Sequence, residues 1–79
     1  GAAEVAAASR DPSAQNEQVA RAHFQEGERR IRAGEYDEAR ASYEAAAAAF
    51  PKSPLQEDAL FMMAETYFLE DKYPKAFTA

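Results

Sequence analysis

An all-α chain of antiparallel helix hairpins is what this sequence predicts, and three observations predict it. Apolar and small residues recur at helical spacing through most of the 79 residues. Helix starts and stops, at Asp11-Pro12, Gly34, Pro51 and Ser53-Pro54, divide those stretches at short intervals. The segment GEYDEA at Gly34–Ala39 also returns as DKYPKA at Asp71–Ala76, so the plan repeats itself. The expectation is four helices with the last cut short, stacked as about one and a half to two hairpins of a solenoid.

The elements follow in order. Residues 1–11 are Ala-rich with little side chain to bury, and read as a flexible tail. Asp11 can cap free backbone N–H groups and Pro12 suits a first helical position, which predicts a helix to about Ala33. Its buried stripe is Ala20, Phe24, Gly27 and Ile31. Glu17/Arg21, Glu26/Arg30 and Glu28/Arg32 are each four apart with the acid first, the favourable order for ion pairs along a helix. Gly34 is a left-handed cap.

A second helix is predicted from Tyr36 to Ala49, with Tyr36, Ala39, Tyr43, Ala46 and Phe50 on its inner side, and Pro51 ends it. Ser53-Pro54-Leu55-Gln56 has the form of a capping box and opens a third helix, expected to reach Leu69. Apolar residues surround this helix, which predicts burial on more than one side. Glu70-Asp71-Lys72 reads as a turn, with a fourth helix starting near Tyr73-Pro74. The chain thus divides into the tail, a hairpin over 12–53 and an incomplete hairpin over 54–79.

Aligning the two copies pairs Tyr36 with Tyr73 and Ala39 with Ala76, thirty-seven residues apart. The same shift places Phe24 on Phe61, Gly27 on Ala64 and Ile31 on Phe68. Packing explains these residue types. A small residue sits where two helices come closest, an aromatic fills the end of the hairpin, an alanine allows close approach again, and Tyr43 acts as a wedge between hairpins.

On these residues the chain resembles the tetratricopeptide repeat family. Gly27, Gly34, Tyr36, Ala39, Tyr43, Ala46 and Pro51 stand at that family's spacing, and the resemblance spans about Ala20 to Ala79. Two positions depart from it. Glu26 and Arg30 replace apolar residues, which suggests a rotated first helix or a polar end cap. The shift of thirty-seven also exceeds the family's usual period of about 34. The longer linker FPKSP followed by DALFMMAETYF is similar to repeats of bacterial outer-membrane assembly lipoproteins and Tol–Pal coordinator proteins. That narrower resemblance implies a scaffold in the periplasm, at the inner face of the outer membrane; composition alone leaves the cytosol equally open.

Nothing in the sequence suggests catalysis. The chain has no cysteine and a single histidine, His23, where a zinc site needs three or four ligands. The carboxylates fall at helix starts and solvated faces, where the helix dipole favours them. Gly27 and Gly34 are packing and cap glycines, not a phosphate loop. No enzyme activity, cofactor or metal is expected. A net charge of −5 disfavours nucleic acid, and no apolar run is long enough to span a bilayer.

The expected partner is another protein or peptide. The family resemblance implies that the first helix of each hairpin lines a concave face. By position that face holds Arg21, Phe24, Glu28, Ile31 and Arg32 in the first unit, and Asp58, Phe61, Glu65, Phe68 and Leu69 in the second. Chaperone-binding members grip a terminal carboxylate with basic and amide residues. The corresponding positions here are Phe24, Glu28, Asp58 and Met62, which cannot do so. The alternative to a foreign ligand is self-association into a homo-oligomer through the Phe61–Leu69 helix and the segment Tyr73–Ala79.

Overall fold

A computed structural model describes residues 12–74. Within them the chain forms three α-helices: α1 (Pro12–Arg32), α2 (Tyr36–Ala49) and α3 (Pro54–Lys72). The expected tail and the Asp11 cap lie outside the described residues. A fourth helix does not begin at Tyr73 and Pro74, which are non-helical, and the rest of that expected helix lies outside the described residues.

Helix α1 buries the predicted stripe. Ala20 and Gly27 are inaccessible, and Phe24 and Ile31 pack half-buried against the core. The helix ends in a Schellman closure. The Gly34 N–H donates to the Ile31 carbonyl and the Glu35 N–H to the Arg30 carbonyl, with Gly34 at φ 74°. Glu26 and Arg30 are polar because they face a surface ion-pair network: Arg30 donates to Glu26 at 2.7 Å and reaches across the turn to Glu35 at 3.1 Å, and Arg29 also pairs with Glu26. Hydrogen bonds from Arg29 and then Arg30 hold the Glu26 carboxyl below its ordinary value.

Helix α2 begins and ends where predicted, and buries Tyr36, Ala39, Tyr43, Ala46 and Ala47. The turn after it places Lys52 at φ 58°, a left-handed conformation that turns the chain back toward α1. Ser53 then caps α3, its hydroxyl accepting from the Gln56 N–H at 3.0 Å. The reciprocal half of the capping box does not form. Gln56 instead accepts from the Lys52 N–H and donates to the Ala47 carbonyl, tying the turn to the end of α2.

Helix α3 departs from expectation in two ways. It continues to Lys72, so Glu70-Asp71-Lys72 is its last turn and not a connector. No residue breaks it before Pro74, and a terminal lysine suits the negative end of the helix dipole. Nor is it buried on more than one side. Ala59 and Thr66 are buried and Met62 and Met63 pack on the core, whereas Leu60, Phe61, Tyr67 and Phe68 are each more than half exposed.

The core is built on close approach between helices. A Cβ added at Gly27 would stand 2.7 Å from Cε1 and Cζ of Tyr43 and 2.9 Å from Cε2, so only glycine admits the ring. Tyr43 is fully buried and packs edge-on against Phe24, with ring centroids 5.1 Å apart. It therefore wedges within the first hairpin and shares a cluster with Ala39, Ala46, Ala47 and, from α3, Ala59.

Gly27→Ala should destabilise the fold. Overpacking costs about 1–3 kcal/mol, against a helix-propensity gain of about 1 kcal/mol. Urea denaturation followed by circular dichroism would check it, and equal or greater stability would refute the account of this contact. Tyr43→Phe should behave in the opposite sense. The Tyr43 hydroxyl is buried without a hydrogen-bond partner. Removing it should leave stability unchanged or raise it by about 1 kcal/mol, and a clear loss would show that the hydroxyl is satisfied in solution.

Candidate functional site

Helices α1 and α3 flank α2 and touch each other only slightly. Where they diverge they leave a cleft of about 300 Å³, lined by Arg21, Phe24, Gln25, Glu28, Leu55 and Asp58. Helical spacing places the lining. Arg21, Phe24, Gln25 and Glu28 are positions i, i+3, i+4 and i+7 of α1, which share one face. Leu55 and Asp58 lie three apart in the first turns of α3, which the Ser53 cap fixes in place.

Phe24 serves both the core and the cleft. One edge meets Tyr43, and its remaining exposed surface forms the cleft floor with half-buried Leu55. The walls are charged. Arg21 is engaged by Glu17 at 2.8 Å. The expected Glu28–Arg32 pair does not form, and among the described residues neither Glu28 nor Asp58 makes an ion pair. Burial pushes the Tyr43 phenol above its ordinary value, and the Glu28 charge adds to that while Arg32 opposes it.

The cleft thus brings together four of the residues predicted on the partner-facing surface, Arg21, Phe24 and Glu28 of α1 with Asp58 of α3 opposite them. The others lie elsewhere. Ile31 turns into the core and Arg32 stands exposed outside the cleft. Phe61, Glu65, Phe68 and Leu69 do not line it. Phe61 and Phe68 lie on the bare face of α3, where the Lys72 ammonium sits 5.8 Å from the Phe68 ring centroid. That face is the counterpart, thirty-seven residues on, of the Phe24/Gly27/Ile31 face that α2 covers on α1. Gln25 and Leu55 were not foreseen as lining residues. Gln25 could be inferred from its spacing to Arg21 and Glu28, but Leu55 faces the cleft only because of the angle at which α3 returns.

That angle is held by Arg40, a charged residue with no apolar signature. It is 9% exposed, donates to Asp37 at 2.5 Å and to Glu70 of α3 at 3.0 Å, and lies 4.1 Å above the Tyr67 ring. Burial works against its charge, but the two carboxylates more than offset it, and its pKa lies above the ordinary value. A second strut links the repeats directly: the Tyr36 hydroxyl donates to the Tyr73 carbonyl at 2.5 Å.

A family model described as tetratricopeptide repeat matches the chain over residues 1–54 and again over residues 24–79. No curated protein and no solved structure matches it.

Arg40→Ala should loosen α3 from α2. Hydrogen bonds to charged groups are worth about 1.5–3 kcal/mol, and the exposure of Asp37 and Glu70 reduces that to a loss of about 1–2 kcal/mol. Hydrogen exchange should show the largest loss of protection in the second half of α3. A uniform loss through α1 would contradict the strut.

Proposed function

The chain belongs to the tetratricopeptide repeat family, and on that premise we propose that it is a scaffold whose α1–α3 cleft receives a peptide segment of another protein. Repeats of this family generally mediate protein–protein interaction and are typically non-catalytic. The observation that carries the proposal is that the first helices of two successive repeats both line one cleft, with Phe24 and Leu55 among charged and polar residues. Concave sites that combine an apolar base with a few polar groups are the common form of recognition pockets.

We further propose that the scaffold serves a bacterial cell-envelope assembly, in the periplasm and at the inner face of the outer membrane. Support comes from the thirty-seven-residue shift and the FPKSP linker, whose extra length occupies the turn between α2 and α3. A second reading, self-association, is favoured by the bare apolar face of α3: Leu60, Phe61, Tyr67 and Phe68 are 52%, 64%, 63% and 57% exposed. Exposed apolar surface of this kind commonly marks a contact with another chain.

A photo-crosslinking residue at Gln25, in the full-length protein in its own cells, should form an adduct with another polypeptide. The same residue at Glu44, an exposed position of α2 outside the cleft, should not. Equal labelling from both positions would remove the cleft from consideration. Osmotic-shock fractionation should release the protein with periplasmic or membrane markers, and recovery with cytosolic markers would reject the envelope assignment. Light scattering across a concentration series addresses self-association. A size that rises with concentration and is reset to the monomer by Phe61→Ser with Phe68→Ser would support it, and a constant monomer would exclude it.

A further inference from the structure

The cleft is selective in charge, and its chemistry is the reverse of a carboxylate clamp. We propose that it takes a cationic side chain, lysine or arginine, presented by a peptide segment, with the aliphatic stem on Phe24 and Leu55 and the charged head between Glu28 and Asp58. This rests on the cleft being the peptide site described above.

Four observations converge on it. Glu28 and Asp58 come from different helices, border the same cleft and make no ion pair among the described residues. The cation on the rim, Arg21, pairs along its own helix with Glu17 at 2.8 Å and not with Glu28 or Asp58. The volume of about 300 Å³ is at the lower limit of recognition pockets and suits one long side chain with its neighbours. Lysine and arginine are the side chains that bury an aliphatic stem while keeping the head polar, and the Phe24 ring offers a face for the cation.

The other occupants fail on physical grounds. An acidic or C-terminal group would meet two carboxylates. A purely apolar side chain would strip water from Glu28 and Asp58 and give nothing back. The protein also shows how it holds such a group. Arg40 lies between two carboxylates, Asp37 and Glu70, and above an aromatic ring, Tyr67. The cleft presents two carboxylates and an aromatic ring, and its lining cation, Arg21, pairs with Glu17 and not with Glu28 or Asp58. A chain charge of −5 adds long-range attraction for a basic segment.

The test pans phage-displayed random short peptides on the immobilised chain, followed by fluorescence anisotropy on the enriched sequences. The enriched peptides should carry lysine or arginine flanked by apolar residues. Replacing that residue by norleucine should weaken binding by about tenfold, as should Glu28→Gln or Asp58→Asn. Glu44→Gln should leave binding unchanged. The double variant Glu28→Lys with Asp58→Lys should shift enrichment to acidic peptides, with unchanged helicity showing that it folds. Enriched peptides without basic residues, or binding indifferent to Glu28→Gln and Asp58→Asn, would overturn the cationic assignment. If those peptides are still displaced by a bulky substitution at Gln25, the cleft stands as a peptide site and only its charge preference falls. No enrichment at all would overturn both.

Discussion

Everything in this small protein is arranged around one contact, the ring of Tyr43 lying on Gly27. A helix pair that must bury a phenol ring against backbone has its separation fixed by the ring's thickness, and only a residue without a Cβ permits it. Ala39, Ala46 and Ala47 pack in one cluster with the ring, and Ala59 brings α3 into it. Phe24 meets the ring edge-on. Its orientation is therefore decided by the core, and the core in turn decides what the cleft floor looks like. Fold and candidate site share a residue, so disturbance of the hairpin contact is transmitted to the cleft without any change in its charged walls.

The charges divide into two groups with different work. Those along α1 and its turn, Glu17/Arg21 and Glu26/Arg29/Arg30/Glu35, are exposed or half-exposed surface pairs. Each contributes little to stability and mainly keeps that face soluble and without competing contacts. Arg40 is different because it is buried between helices. It joins carboxylates from α2 and α3 across an aromatic ring, and so it sets an angle as well as adding attraction. One Arg40 nitrogen is left without a hydrogen-bond partner. A buried guanidinium is tolerated there because Asp37 and Glu70 pair with it and the Tyr67 ring lies beneath it.

The sequence made the first hairpin legible almost to the residue because its boundaries are written in backbone chemistry. Gly34 and Pro51 permit or forbid particular dihedrals whatever surrounds them, and the Ser53 hydroxyl satisfies a free N–H at the start of α3. The end of α3 was hidden because Glu70-Asp71-Lys72 looks like a turn by polarity alone, yet its glutamate is needed by Arg40, thirty residues earlier in the chain. The width of the apolar surface on α3 was legible, but not its fate, since periodicity reports what could be buried and not what is. In the cleft, Arg21, Phe24 and Glu28 could be placed by position on one helix. The missing Glu28–Arg32 pair and the arrival of Leu55 could not, because both depend on rotamers and on the pose of a neighbouring helix.

The two copies of the repeat pattern now differ in a way that separates two kinds of surface. On α1 the Phe24/Gly27/Ile31 face is covered by α2, so the polar residues beside it are left to border a cleft. On α3 the equivalent Phe61/Ala64/Phe68 face leaves its aromatic residues exposed, with Glu65 one turn beyond Phe61 and Lys72 beside the Phe68 ring. Its large exposed residues are mostly apolar, and surface of that kind is suited to packing by burial and shape. The cleft has little apolar area and two carboxylates without an ion pair among the described residues, which is the basis of the proposed preference for a cation. On the proposed reading, stacking and recognition draw on different physics at different places on the same three helices, and a change in one charge of the cleft would redirect what is bound without disturbing how the helices pack.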